Sequence, residues 1–132
     1  MANYAQAMYA KAQEHWVAAQ AELQANRFET ATALAYYACF ELGLAAHLYD
    51  GLPPDNGTKY SHGLIWKTAD RWMDAIGRRE LRGAVQQLYG ARTTAQYKEK
   101  CHSRGECEVT INKARDVVDT LSPRLKRCLG LV

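Results

Sequence analysis

Apolar residues recur at helical spacing through nearly the whole chain. Met8, Ala12, Trp16, Ala19 and Leu23 step by three and four, the period of an α-helix that buries one face. Asn26 followed by Glu29 fits a capping box, so a second helix is expected to begin there. Along it Phe28, Ala31, Ala35, Ala38, Leu42, Ala45 and Tyr49 keep a heptad rhythm, and Leu34, Tyr37, Leu44 and Leu48 cover the adjoining face. A helix so apolar on most sides belongs at the centre of a fold or in a subunit interface. The breaker cluster Gly51 to Gly57 reads as a loop, and Ser61 as the cap of a third helix that carries Leu64, Ile65, Thr68, Trp72 and Ile76 and stops at Gly77. Leu81, Val85, Leu88, Arg92 and Ala95 define a fourth. A polar break from His102 to Gly105 precedes a fifth seam, Cys107, Ile111, Ala114, Val118, Leu121, Leu125 and Cys128, in which Pro123 predicts a kink or an end near Thr120 to Ser122. No alternating strand pattern or internal repeat occurs. The pattern predicts one all-α domain over 1–132, an up-and-down four-helix bundle with a short additional fifth helix.

One position breaks the pattern. Arg92 stands where the fourth stripe calls for an apolar side chain. Burying a lone guanidinium costs several kcal/mol, so Arg92 is expected either to pair with a carboxylate such as Glu41 of the core helix or to face a cleft that admits an anion.

Composition narrows the setting. At 132 residues the chain is large enough for a core without staples, and its four cysteines, two of them on apolar helical faces, read as reduced thiols. No secretory leader and no run of about 18 apolar residues is present, so a soluble cytoplasmic protein with no membrane partner is expected. The net charge of +3 falls well short of a nucleic-acid-binding stripe. Arg124, Lys126 and Arg127 close the last helix, where cations complement the helix dipole; Arg78, Arg79 and Arg82 lie near a helix start, where an anionic partner explains them better. Cys101, His102, Cys107 and Glu108 lack a zinc spacing and read as a polar turn, so no metal site is assigned. No phosphate-binding glycine loop, Ser/His/Asp set or H-E-x-x-H motif occurs, and no cofactor is expected. His15 and His47 read as packing or surface residues, and Trp66 as the tryptophan open to a partner.

Three pieces of the chain, in order, carry a resemblance. ATALAYYACFELGLAAHLYDGLPP, then KYSHGLIWKTADRWM, then LYGARTTAQYK, resemble the small stand-alone HEPN domains (higher eukaryotes and prokaryotes nucleotide-binding) over residues 26 to 121. The likeness lies in an alanine- and aromatic-rich second helix and in a His-x-x-hydrophobic opening of the third, here His62 to Ile65. It implies a HEPN-like bundle, a homodimer, and RNA, a nucleotide or a minimal nucleotidyltransferase as partner. By the same likeness the chain is the toxin-like half of a defence or toxin-antitoxin pair.

Active members of that family carry Arg, four to six residues, then His. Arg92 matches the Arg, but the permitted spacings hold Tyr97, Lys98 and Glu99, and His102 lies too far on. Some stand-alone members instead carry Arg, four residues, then Tyr, usually with an Asp before the Tyr, where this chain has Gln96 and Tyr97. Cleaving RNA without a metal needs an imidazole-like base and acid, whereas tyrosine, with a pKa of about 10, is a poor base at neutral pH. Tyr97 can still hydrogen-bond a phosphate or stack on a base, and Arg92 can clamp a phosphate. The expected binding set is therefore Arg92, Gln96, Tyr97 and His62, with no catalytic residue. A ribonuclease using Arg92, Tyr97 and His102, or a structural oligomerising module, are the alternatives.

Overall fold

The computed structural model describes residues 2–97 and 103–131, the side chains of residues 2, 3, 96 and 97 excepted. Five α-helices follow one another: α1 (Ala2–Gln24), α2 (Phe28–Tyr49), α3 (His62–Ile76), α4 (Ala84–Tyr97) and α5 (Arg104–Cys128), with a single 3-10 turn, Arg79–Leu81, ahead of α4. No β-strand occurs among the described residues. An isolated bridge between Asn56 and Lys59 tightens the α2–α3 loop.

The core helix of the sequence is the core helix of the fold. α2 packs against each of the other four helices, and Ala31, Ala35, Tyr36, Ala38, Cys39, Leu42, Ala45 and Ala46 have no exposed surface. Small side chains let neighbours come close. At Gly43 an added Cβ would lie 2.8 Å from Ile65 Cγ2 and 3.3 Å from the Ile65 carbonyl, so α3 runs almost against the α2 backbone. Buried His47 ties the same two helices: its Nδ1 accepts from the Thr68 hydroxyl at 2.7 Å, and its Nε2 donates to the Pro53 carbonyl at 2.9 Å. It is a packing residue, as expected.

The ends of α3 follow the sequence closely. Ser61 caps it by accepting from Leu64 N at 3.3 Å, and Gly77 ends it with φ 92°. The Ser61 amide in turn donates to Asp55 Oδ1 at 2.9 Å, which fixes the position from which His62 starts the helix. Two other ends differ from expectation. Asn26 does not cap α2; it takes φ 63° and closes α1, a left-handed position that asparagine tolerates well. Arg27 stands at the N-cap of α2 with no side-chain bond.

The largest difference concerns the fifth helix, expected to be short. α5 is 25 residues long and passes through Pro123 without ending. Pro123 and Asp119, whose carbonyl loses its helical donor, are both exposed, so water can take over that bond and the cost of the proline is confined to one face. A capping box between Ser103 and Glu106 starts the helix, so Gly105 lies inside α5 rather than in the break before it. Among the described residues no helix is long and apolar enough to cross a membrane.

Candidate functional site

Three helices each send a pair of side chains, spaced one turn apart, to one place. α2 supplies Tyr36 and Phe40, α3 supplies His62 and Trp66, and α4 supplies Tyr89 and Arg92. Their rings form a continuous cluster: His62 lies 4.7 Å from Phe40 and 5.2 Å from Tyr89, and Tyr89 lies 5.3 Å from Trp66 and 5.4 Å from Tyr36. Tyr37 extends it along α2, 5.7 Å from Tyr36.

Arg92 sits on the rim of this cluster. Its guanidinium carbon is 5.0 Å from the Tyr37 ring centre, 5.7 Å from Tyr89 and 5.8 Å from Tyr36. Such cation–π contacts are worth about 0.5–2 kcal/mol each, depending on how dry the site is. They replace the ion pair. Among the described residues no carboxylate lies against Arg92, and its Nε is shut off from solvent with no acceptor. Glu41, the expected partner, instead receives a hydrogen bond from His15 of α1 at 2.7 Å and lies 4.0 Å from Lys11. Position 41 is a full turn beyond Tyr37 on a face that α1 covers. Burial raises the Glu41 carboxyl above its ordinary range, against the opposing pull of His15.

Hydrogen bonds order the other side of the cluster. The Trp66 indole N–H, which can only donate, gives its proton to the Tyr36 oxygen at 3.2 Å. Tyr36 is fully buried, and His62 Nδ1 is the acceptor its own proton reaches among the described residues. Were Nδ1 the donor, the phenol proton would be stranded in the core at a cost of about 1–3 kcal/mol. The chain of donors therefore runs from Trp66 to Tyr36 to His62, and the imidazole carries its proton on Nε2. Burial first, and the Arg92 charge second, hold the His62 pKa below its ordinary value; burial likewise pushes the Tyr36 phenol well above its own. Both groups are neutral at pH 7. His62 Nε2 has no partner among the described residues, and the side chain is half-buried.

Of the residues singled out in the sequence, the fold brings Arg92 and His62 together, with Trp66 half-buried beside them rather than free. The side chains of Gln96 and Tyr97 lie outside the described residues, as do Lys98, Glu99, Cys101 and His102. Tyr36, Tyr37, Phe40 and Tyr89 were not expected in the site. Their sequence signal is an aromatic or cationic residue one turn from another on each of three helices.

The remaining candidates dissolve into structure. Arg78 bonds Glu80 and the Thr120 hydroxyl, and Arg82 pairs with Asp74, so two members of the cluster before α4 already have partners. Lys126 and Arg127 lie in the last turn of α5, as the dipole argument requires. Cys39, Cys107 and Cys128 are free thiols. No group of three metal-competent side chains forms among the described residues. Recesses elsewhere among the described residues include one of about 330 Å³ lined by Tyr49, Asp50, Arg71, Trp72 and Arg124, a groove of about 440 Å³ under Tyr4, Met8, Leu44 and Leu48, and one of about 360 Å³ between Arg82, Gln87 and Lys113. No protein-family model matches the chain, and no curated protein matches it either.

Proposed function

We propose that the chain is a HEPN-type binding module that takes the phosphate of RNA or of a nucleotide at Arg92. The observation that carries this reading is a half-buried guanidinium resting on three tyrosine rings with no carboxylate against it among the described residues. A cation held in this way has given up part of its hydration without gaining an ion pair, which is the condition of an anion site awaiting its ligand. Aromatic rings beside it offer surfaces on which a base can stack. The HEPN-like bundle, the homodimer and the pairing with a nucleotidyltransferase in a toxin-antitoxin or defence setting belong to the same proposal; the order of the three sequence pieces supports them.

Binding is favoured over cleavage by the state of His62. A general base needs a free lone pair, and the Nδ1 lone pair of His62 is taken by Tyr36 while Nε2 bears the proton. His62 therefore does not replace the His missing after Arg92. Isothermal titration with single-stranded RNA and with inorganic phosphate, comparing the wild type with Arg92→Met, tests the reading. Arg92→Met strands no buried carboxylate and keeps an apolar side chain against the tyrosine rings, so it is expected to fold, with a loss of stability no larger than its cation–π contacts, and to lose at least tenfold in affinity for both probes. Unchanged affinity, or unfolding of the variant in place of lost binding, would make Arg92 a structural residue.

A further inference from the structure

The Arg92 site has a second polar edge that the sequence motif does not name. His62 is the first residue of α3, and its ring shares two neighbours with the guanidinium: Tyr36 and Tyr89 lie 5.7 and 5.2 Å from the imidazole, and 5.8 and 5.7 Å from the Arg92 carbon. Cation and imidazole thus lie against the same two tyrosine rings, the buried Tyr36 and the half-buried Tyr89. The imidazole is also oriented with unusual completeness for a half-exposed side chain. Phe40 packs 4.7 Å from it and Trp66 6.2 Å, while the Tyr36 hydroxyl, itself held by Trp66, pins Nδ1. The Tyr36 hydroxyl, held in turn by Trp66, thereby sets the tautomer, and the proton is left on Nε2, which has no partner among the described residues. A histidine serving the core alone would have no need of that arrangement, as His47 shows by using both of its nitrogens inside the protein.

We infer that His62 is a specificity-determining residue of the Arg92 site: its Nε2–H donates to an acceptor on a nucleobase whose phosphate lies at Arg92. The inference rests on the binding reading given above and adds the selecting group. A neutral donor suits this task because it pairs with a carbonyl oxygen or an unprotonated ring nitrogen of a base, whereas a second cation would simply add to the grip on phosphate. The Trp66–Tyr36 pair acts through His62 and is a positioning pair.

The test compares AMP, CMP, GMP and UMP with ribose 5-phosphate, which keeps sugar and phosphate but has no base, by isothermal titration of the full chain. The wild type is expected to bind at least one of the four nucleotides roughly five- to tenfold more tightly than ribose 5-phosphate, the worth of one good hydrogen bond. His62→Phe and Tyr36→Phe should both remove that ratio, and His62→Gln, whose amide can donate from nearly the same place, should restore part of it. Nitrogen-15 spectra of the histidine-labelled wild type should show a neutral ring protonated at Nε2, a reading that needs no variant to fold. An Nδ1–H ring, a ratio of one for all four nucleotides, or a ratio that survives His62→Phe would overturn the inference. Loss of ribose 5-phosphate binding in Arg92→Met alongside any of those results would leave the Arg92 reading standing and remove only this one; binding of ribose 5-phosphate that ignores Arg92→Met would remove both.

Discussion

At the residue scale the misplaced charge of the fourth stripe was legible and its company was not. A single arginine among apolar positions signals either a pair or a cleft, and Glu41 is a reasonable partner because it lies well inside the core helix. Sequence spacing cannot say which of two adjoining faces of α2 meets α4 and which meets α1. Glu41 bonds His15 of α1, Tyr36 lies against Arg92, and Tyr37 stands between the two, 6.3 Å from the His15 ring and 5.0 Å from the Arg92 guanidinium carbon. The tyrosines look like ordinary core residues until three helices are placed together. His62 yields a pH prediction with a definite sign. Its folded pKa lies below the ordinary 6.5, so the unfolded chain takes up the proton first as the solution is acidified. The stabilising contribution is complete above 6.5 and is lost as pH falls through the lower folded value. Urea midpoints at several pH values between 7.5 and 5 should therefore decline more steeply in the wild type than in His62→Gln. Glu41, whose raised pKa gives the opposite slope, is common to both proteins and cancels in the difference. Parallel profiles would show that His62 is not held neutral by the fold.

At the element scale, signals with one physical meaning were read correctly and signals with two were not. Ser61 before an amphipathic stripe and Gly77 after it each have one use, and both act as expected. Asparagine serves both as an N-cap and as a left-handed residue, and at Asn26 the second use wins because α1 needs a stop before α2 can turn back. Pro123 predicts a kink or an end, and the helix does not end there: the cost of a proline depends on where its lost bond falls, and here it falls on solvent. Gly43 was not singled out at all, although it sets how closely α3 approaches α2. Gly43→Ala forces its new methyl group against Ile65 and is expected to cost about 1–3 kcal/mol, the range of core overpacking. The propensity gain of alanine over glycine, about 1 kcal/mol, acts the other way. A thermal melt gives the net change. Because His62 starts the helix that Ile65 belongs to, the same variant should weaken nucleotide binding per folded molecule, whereas an equally destabilising change in α5 should not. If Gly43→Ala melts at or above the wild-type temperature, the α2–α3 contact is looser than the distances indicate.

At the scale of the whole molecule, the helices were legible because each carries its own periodicity, while the site was not, because it exists only where α2, α3 and α4 meet. Charge tells a similar story. The chain carries an excess of three positive charges, and among the described residues Arg27, Arg71, Arg78, Arg82 and Arg104 each lie within ion-pair distance of a carboxylate. On the proposed reading a ligand at Arg92 is held mainly by local contacts, with little contribution from a long-range field. That separates the proposed module from a general RNA-coating surface. For single-stranded nucleic acid the slope of log affinity against log salt is about −0.7 for each phosphate neutralised. One or two phosphates at the Arg92 site give a slope of about −0.7 to −1.4, so raising salt from about 50 to 200 mM should weaken binding of a labelled RNA only about three- to sevenfold. Arg92→Met should flatten the dependence of what binding remains. A slope several times steeper, unchanged by Arg92→Met, would mean that RNA is held by arginines and lysines spread over the surface, and that the tyrosine rings beside Arg92 have another purpose.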